Sequence, residues 1–188
     1  MDNINEKAHK DFPVLCNWVK ELIALKEEML KDKIEYDPND NFAFMLLSFI
    51  YKQEAHMKTI LLLVENDYGR DAELIARSMI EGLFQIRWTE KEDTETRSFQ
   101  WRAFAWICDW RLMNYKIKKG EVVEQTKCDE IKHGIDLYGE EFLTDKAKDK
   151  RNRRESLPED PYRPHWHKPK IAQIAESVQG EKLYKELY

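Results

Sequence analysis

The chain has 188 residues, with 31 Lys and Arg against 36 Asp and Glu, for a net charge of −5. That balance excludes a protein that coats nucleic acid over its whole surface, and a chain of this length buries roughly 70% of its unfolded surface without covalent staples. Cys16, Cys108 and Cys128 are isolated and odd in number, which excludes a disulfide framework and suits a reducing compartment. The start, Met1 to Glu6, lacks the basic and apolar stretches of a signal peptide. The apolar run from Phe42 to Leu47 is far shorter than the ~20 residues that cross a bilayer. A cytoplasmic protein with no membrane partner is expected.

Apolar residues recur at helical spacing along nearly the whole chain, and Gly and Pro fall between the periodic segments. The first helix is expected over about residues 5–34, with Leu15, Trp18, Val19, Leu22, Ile23, Leu25, Met29 and Leu30 on its apolar side. The cluster Asp37-Pro-Asn-Asp-Asn41 then makes a turn and offers Asp40 or Asn41 as the N-cap of a second helix running to about residue 66. A turn at Asn66-Asp-Tyr-Gly69 leads into a third helix reaching about residue 90. Thr94 or Thr96 is expected to cap a fourth, which runs to about Lys119 before Gly120 stops it. A fifth follows to about residue 150, with interruptions near Gly134 and Gly139.

Residues 151–170 hold four of the six prolines, at 158, 161, 164 and 169, and predict an irregular crossing segment. Two short helices follow, at 171–178 and 182–188. Short loops between long helices favour antiparallel neighbours, so the expected fold is all-α, an up-and-down bundle of about five long helices over residues 1–150, with 151–188 completing the same domain. The last turn carries Leu183, Tyr184, Leu187 and Tyr188 without a stop signal, which predicts that the natural protein continues past it.

The third helix carries the clearest candidate site. Arg70, Glu73, Arg77 and Glu81 recur at three- and four-residue intervals and share one side, opposite Ala72, Ile75, Ala76, Met79, Ile80 and Leu83. A guanidinium held by a carboxylate in a partly buried cleft can bind phosphate or a partner carboxylate with two parallel hydrogen bonds. The plain alternative for Arg77 and Glu81 is an i,i+4 ion pair worth a few tenths of a kcal/mol. Helix two has a second polar stripe, Ser48, Lys52, His56 and Thr59, that bundle geometry places beside the first, or that forms the wet edge of its own helix.

Helix four is aromatic. Phe99, Ala103, Trp106, Trp110 and Met113 form one stripe and Trp101, Ala105, Cys108 and Leu112 a second, a pattern of core packing or self-association before one of base stacking. From Lys146 to Lys170 there are nine basic and four acidic residues, leaving the rest of the chain at −10. Arg151, Arg153, Arg154, Arg163 and Trp166 are the candidate nucleic-acid contacts there, against a loop that pairs with the acidic remainder. His165-x-His167 lacks further ligands at suitable spacing, and the Glu-x-x-His pairs at Glu6/His9 and Glu130/His133 fall away from the middle of a bundle. No Gly-rich phosphate loop, nucleophile elbow or zinc spacing occurs, so no cofactor or metal is expected.

The segment Leu74-Ile-Ala-Arg-Ser-Met-Ile-Glu81 resembles the Arg-Ser-x-x-Glu helix of a bacterial family of helical proteins described only as a domain of unknown function. Trp166, Ile171-Ala-Gln-Ile-Ala175 and the Tyr184-x-x-x-Tyr188 ending are similar to that family's second half. The family looks distantly related to the HEPN helical bundles, many of them ribonuclease toxins or defence components. The resemblance implies a chain whose ending continues into a helix with a serine and then a histidine. The HEPN signature sets a histidine shortly after an arginine that has a polar neighbour, and none of His9, His56, His133, His165 and His167 is carried over as that catalytic histidine. The expected protein is therefore a non-catalytic interaction module, self-associating or partnered by another protein, of a bacterial defence or toxin system. The alternative is a metal-independent ribonuclease acting on RNA, with its histidine beyond this chain and Arg77, Glu81 and His56 lining the site.

Overall fold

Helix boundaries follow local capping chemistry. In the computed structural model, which describes residues 2–32 and 34–187, and side chains from 13–32 and 34–186, Asp40 caps α2 (Asn41–Glu65) by accepting from the Ala43 N–H at 2.9 Å. α1 spans Asp2–Met29 and α3 Gly69–Lys91. The turn between α2 and α3 places Asp67 at φ 64°, while the Tyr68 N–H reaches back to the Leu63 carbonyl, a left-handed stop built without glycine. Gly120 (φ 75°) ends α5 in the same way.

The aromatic helix is two helices. α4 (Thr94–Ala103) and α5 (Ala105–Lys118) meet at Phe104, whose ring packs edge-on against Phe142 at 5.3 Å. Asp93, not a threonine, occupies the N-cap position of α4. The expected fifth helix resolves into α6 (Gln125–Tyr138), a 3₁₀ turn over Gly139–Phe142 and α7 (Asp145–Asn152), with Thr144 capping α7 by accepting from the Ala147 N–H. Gly134 does not interrupt α6. A Cβ there would lie 2.3 Å from the Trp106 ring, so glycine at this point admits an indole and leaves the helix intact. α8 (Ile171–Ser177) and α9 (Glu181–Leu187) follow. The fold is all-α, and among the described residues the only extended pairing is an isolated bridge between Leu143 and Tyr162.

The chain divides into two compact units, Met1–Glu92 with Ile171–Tyr188, and Asp93–Lys170. In the first, α1, α2 and α3 run antiparallel in sequence. Ion pairs Lys20–Glu65 and Lys58–Glu27, each at 3.0 Å, set α1 on α2, and Gly82 of α3 lies under Phe49 and Gln53 of α2. α8 covers the far end of α3, where Phe84, Ile174, Ala175 and Val178 form a buried cluster flanked by Ile80, Trp88, Ile171 and Tyr184. Gly180 is required there because a Cβ would stand 2.4 Å from Phe84.

In the second unit α5 packs antiparallel on α6 through Met113, Cys128 and Ile131, with Trp106 and Trp110 beside them. The Pro-rich segment is tied in by Thr144 N–H to the Pro161 carbonyl at 2.9 Å and Arg163 N–H to the Phe142 carbonyl at 2.8 Å. Among the described residues, no helix is long and apolar enough to cross a membrane.

Candidate functional site

Arg70, Glu73, Arg77 and Glu81 line one side of α3, as 3.6 residues per turn requires. Arg70 and Glu73 are exposed, Arg77 and Glu81 half-buried. Arg77 donates from Nη2 to Glu73 Oε1 at 2.6 Å, so a carboxylate on the N-terminal side holds the guanidinium, the more favourable order for an i,i+4 pair.

On the neighbouring α2, Gln53 Nε2 donates to the Met79 carbonyl at 3.5 Å. This contact sets the register. His56 lies three residues beyond Gln53 and Arg77 two residues before Met79, so in an antiparallel pair the two stand at about the same height, within ~5 Å along the axis by the 1.5 Å rise. His56 is half-buried, and burial, then the charge of Lys52, push its pKa below the ordinary imidazole value. Its Nδ1 and the Gln53 Oε1 are buried with no hydrogen-bond partner. Lys52 is exposed one turn away. Thr59 turns its hydroxyl to the Ala55 carbonyl of its own helix at 2.8 Å. Ser48 lines a different cleft, with Leu30, Ile34, Tyr36, Phe44 and Tyr51. Lys52 and His56 of α2 and Glu73 and Arg77 of α3 therefore stand at neighbouring heights on two adjacent antiparallel helices.

The basic segment is organised differently. Arg163 is half-buried over the Phe142 ring at 5.0 Å and donates from Nη2 to the Trp166 carbonyl at 2.5 Å. Burial lowers its proton affinity from the usual guanidinium value. Trp166 is only 6% exposed and packs edge-on to His167, which is itself buried and donates from Nδ1 to the Pro169 carbonyl at 2.7 Å. Arg151 pairs with Glu140 at 2.8 Å, while Arg153 and Arg154 are exposed. Arg154 sits at φ 60° as the left-handed residue after α7, with the Glu155 N–H returning to the Lys150 carbonyl. Of the five candidate contacts, Arg163 and Trp166 therefore build the segment's interior, and only Arg151, Arg153 and Arg154 face water.

His165 stacks on His167 at 5.4 Å, and among the described residues no three His, Cys, Asp or Glu side chains gather into a metal-holding group. The side chains of Glu6 and His9 lie outside the described residues, as does Tyr188. His133 is exposed and Glu130 pairs with Lys127 at 3.5 Å.

Two polar nodes escaped the sequence. Glu54 of α2 accepts from Lys26 of α1 and, at 2.6 Å, from Lys58, and these two ammonium groups hold its carboxyl below the usual carboxylate range. Arg111 of α5 donates to Asp160 at 2.8 Å and to the carbonyls of Tyr162 and Arg163 at 3.1 and 3.0 Å, clamping the Pro-rich segment. Lys58 stands at helical spacing from Glu54, but Lys26 and, for Arg111, Asp160 are too far along the chain for that spacing to reveal.

An all-α protein with charged stripes on its second and third helices is the class these observations define. The chain belongs to a family of unknown function, DUF5677, whose model matches residues 43–188. The match begins inside α2 and leaves α1 ahead of it. No curated protein and no solved structure matches the chain.

Proposed function

We propose that the protein is a non-catalytic helical interaction module, acting in the cytoplasm of a bacterium as part of a defence or toxin system. The observation that carries this function is the commitment of four of its arginines to acceptors within the protein itself. Arg77 is held by Glu73, Arg111 by Asp160 and two carbonyls, Arg163 by the Trp166 carbonyl and Arg151 by Glu140. A guanidinium with an N–H already held by an acceptor must give up that contact before turning the same group to phosphate, and that exchange reduces the net gain. The free thiols of Cys16, Cys108 and Cys128 accord with a reducing compartment.

Support for a second function, a HEPN-like metal-independent ribonuclease, comes from His56. Its depressed pKa favours the neutral imidazole at pH 7, and a neutral imidazole beside Lys52 and level with Arg77 has the character of a general base. There it would take the proton of a ribose 2′-hydroxyl as that oxygen attacks the adjacent phosphorus and the 5′-oxygen leaves. Incubating the full chain with end-labelled structured and unstructured RNA, with and without EDTA, separates the two functions. Intact RNA is expected. Cleavage that survives EDTA and disappears in His56→Ala would overturn the module and install the nuclease.

A further inference from the structure

The apolar side of α1 is wider than the helix it packs against. Cys16, Val19, Ile23, Lys26 and Leu30 turn toward α2, with Ile23 buried and the other four half-buried. Directly beside this stripe, Leu15, Trp18, Leu22, Leu25 and Met29 are 51, 57, 53, 52 and 71% exposed. Their spacing is three, four, three and four residues in alternation, the a/d repeat of a helix seam. Five large apolar side chains on one line are not the scattered exposure usual on a soluble surface. Together they open on the order of 600 Å² of apolar surface, at the upper end of what monomers carry in one patch.

We propose that this seam is the surface by which α1 pairs with the α1 of a second copy of the chain, a proposal that rests on the interaction-module function. The seam's repeat selects a helix as the occupant, since a and d side chains seat as knobs between those of another helix. The area selects a second copy. Two such faces apposed remove about 1,200 Å² from water, the lower edge of stable interfaces, whereas either face alone supplies half of it. A two-fold pair also needs a self-complementary patch, and a row with Leu22 at its middle, leucines on either side and Trp18 and Met29 as its largest members meets that need. The Lys26–Glu54 and Lys20–Glu65 pairs hold α1 on α2 from the other side, so the seam is presented on a helix already fixed in orientation. Each copy then contributes the one long helix that lies ahead of the family-matched residues.

The test is sedimentation velocity of the full chain over roughly 1 to 100 µM, a span that brackets micromolar dissociation constants. A dimer that grows with concentration is expected. Leu22→Glu with Leu25→Glu is expected to weaken it by ~100-fold or more, because the pair sits at the centre of the interface. Leu137→Glu, at an exposed leucine of α6, is expected to leave the dimer as it was. A wild-type chain that stays monomeric throughout, or a double variant that dimerises like wild type, overturns the seam. Should the double variant fail to fold, amide hydrogen exchange on the unaltered chain decides the matter: protection across residues 15–29 must rise with concentration, and a flat profile overturns the proposal. A monomeric chain refutes the seam alone, and RNA cleavage refutes the module alone.

Discussion

α1 leaves Leu15, Trp18, Leu22, Leu25 and Met29 in solvent, whereas the segment between α7 and α8 buries Pro161, Trp166 and His167 among prolines and charges. The difference shows that apolar periodicity names a face without naming what covers it. It also shows that charge density does not measure exposure. Arg163 is taken inside because a backbone carbonyl accepts from it and an aromatic ring lies beneath it, and those two contacts offset the loss of water.

Truncating the two tryptophans breaks this comparison most sharply. Trp166→Ala is expected to destabilise the chain by about 3–5 kcal/mol, as for other buried large-to-small changes, read as a lower urea midpoint. Trp18→Ala, measured below the dimerisation range, is expected to shift that midpoint by less than about 1 kcal/mol. Equal losses would mean that α1 is covered within a single chain.

Arg163→Met is the next largest, with a loss of about 1–3 kcal/mol expected from the deserted carbonyl, while Arg153→Ser at an exposed site stays within about 0.5 kcal/mol. His56 sharpens the contrast between buried and exposed side chains through pH. Its folded pKa is lowered, so the unfolded chain takes up the proton first and stability falls as pH drops through the ordinary imidazole range. His56→Gln is expected to flatten the decline in melting temperature between about pH 7 and pH 5. A steeper decline would show that the folded state favours the imidazolium.

Arg154→Gly is expected to stabilise by about 0.5 kcal/mol, because glycine takes the left-handed conformation with no Cβ penalty and loses part of the gain to backbone entropy. Glu73→Ala is the smallest change, a few tenths of a kcal/mol for an i,i+4 pair with an exposed carboxylate. A loss several times larger in thermal melting would make the Glu73–Arg77 pair part of the scaffold.

Part of the candidate site is legible in residue spacing. The common side of Arg70, Glu73, Arg77 and Glu81 follows from helical period, and so does the parallel stripe of Lys52 and His56 on α2. The shared height of His56 and Arg77 is not, since Gln53 on Met79 and Phe49 over Gly82 set it from different helices. Glu54 looks like any solvated carboxylate until Lys26 of α1 arrives, and Arg111 like a helix-surface cation until Asp160 folds back.

The sequence by itself determined that this protein is helical and, closely, where α2, α3, α8 and α9 begin and end, because caps, prolines and apolar period act over a few residues. Asp40 and Gly120 act through groups within one turn. The tertiary structure decided what depends on distant partners. The indole of Trp106 explains Gly134, and Phe84 explains Gly180. Left-handed stops fall on Asp67, Arg154 and Gln179, where sequence would ask for glycine, since packing of the following chain outweighs a local cost of about 1–2 kcal/mol. Burial is likewise a property of what arrives from elsewhere, and so Trp166 lies inside and Trp18 does not.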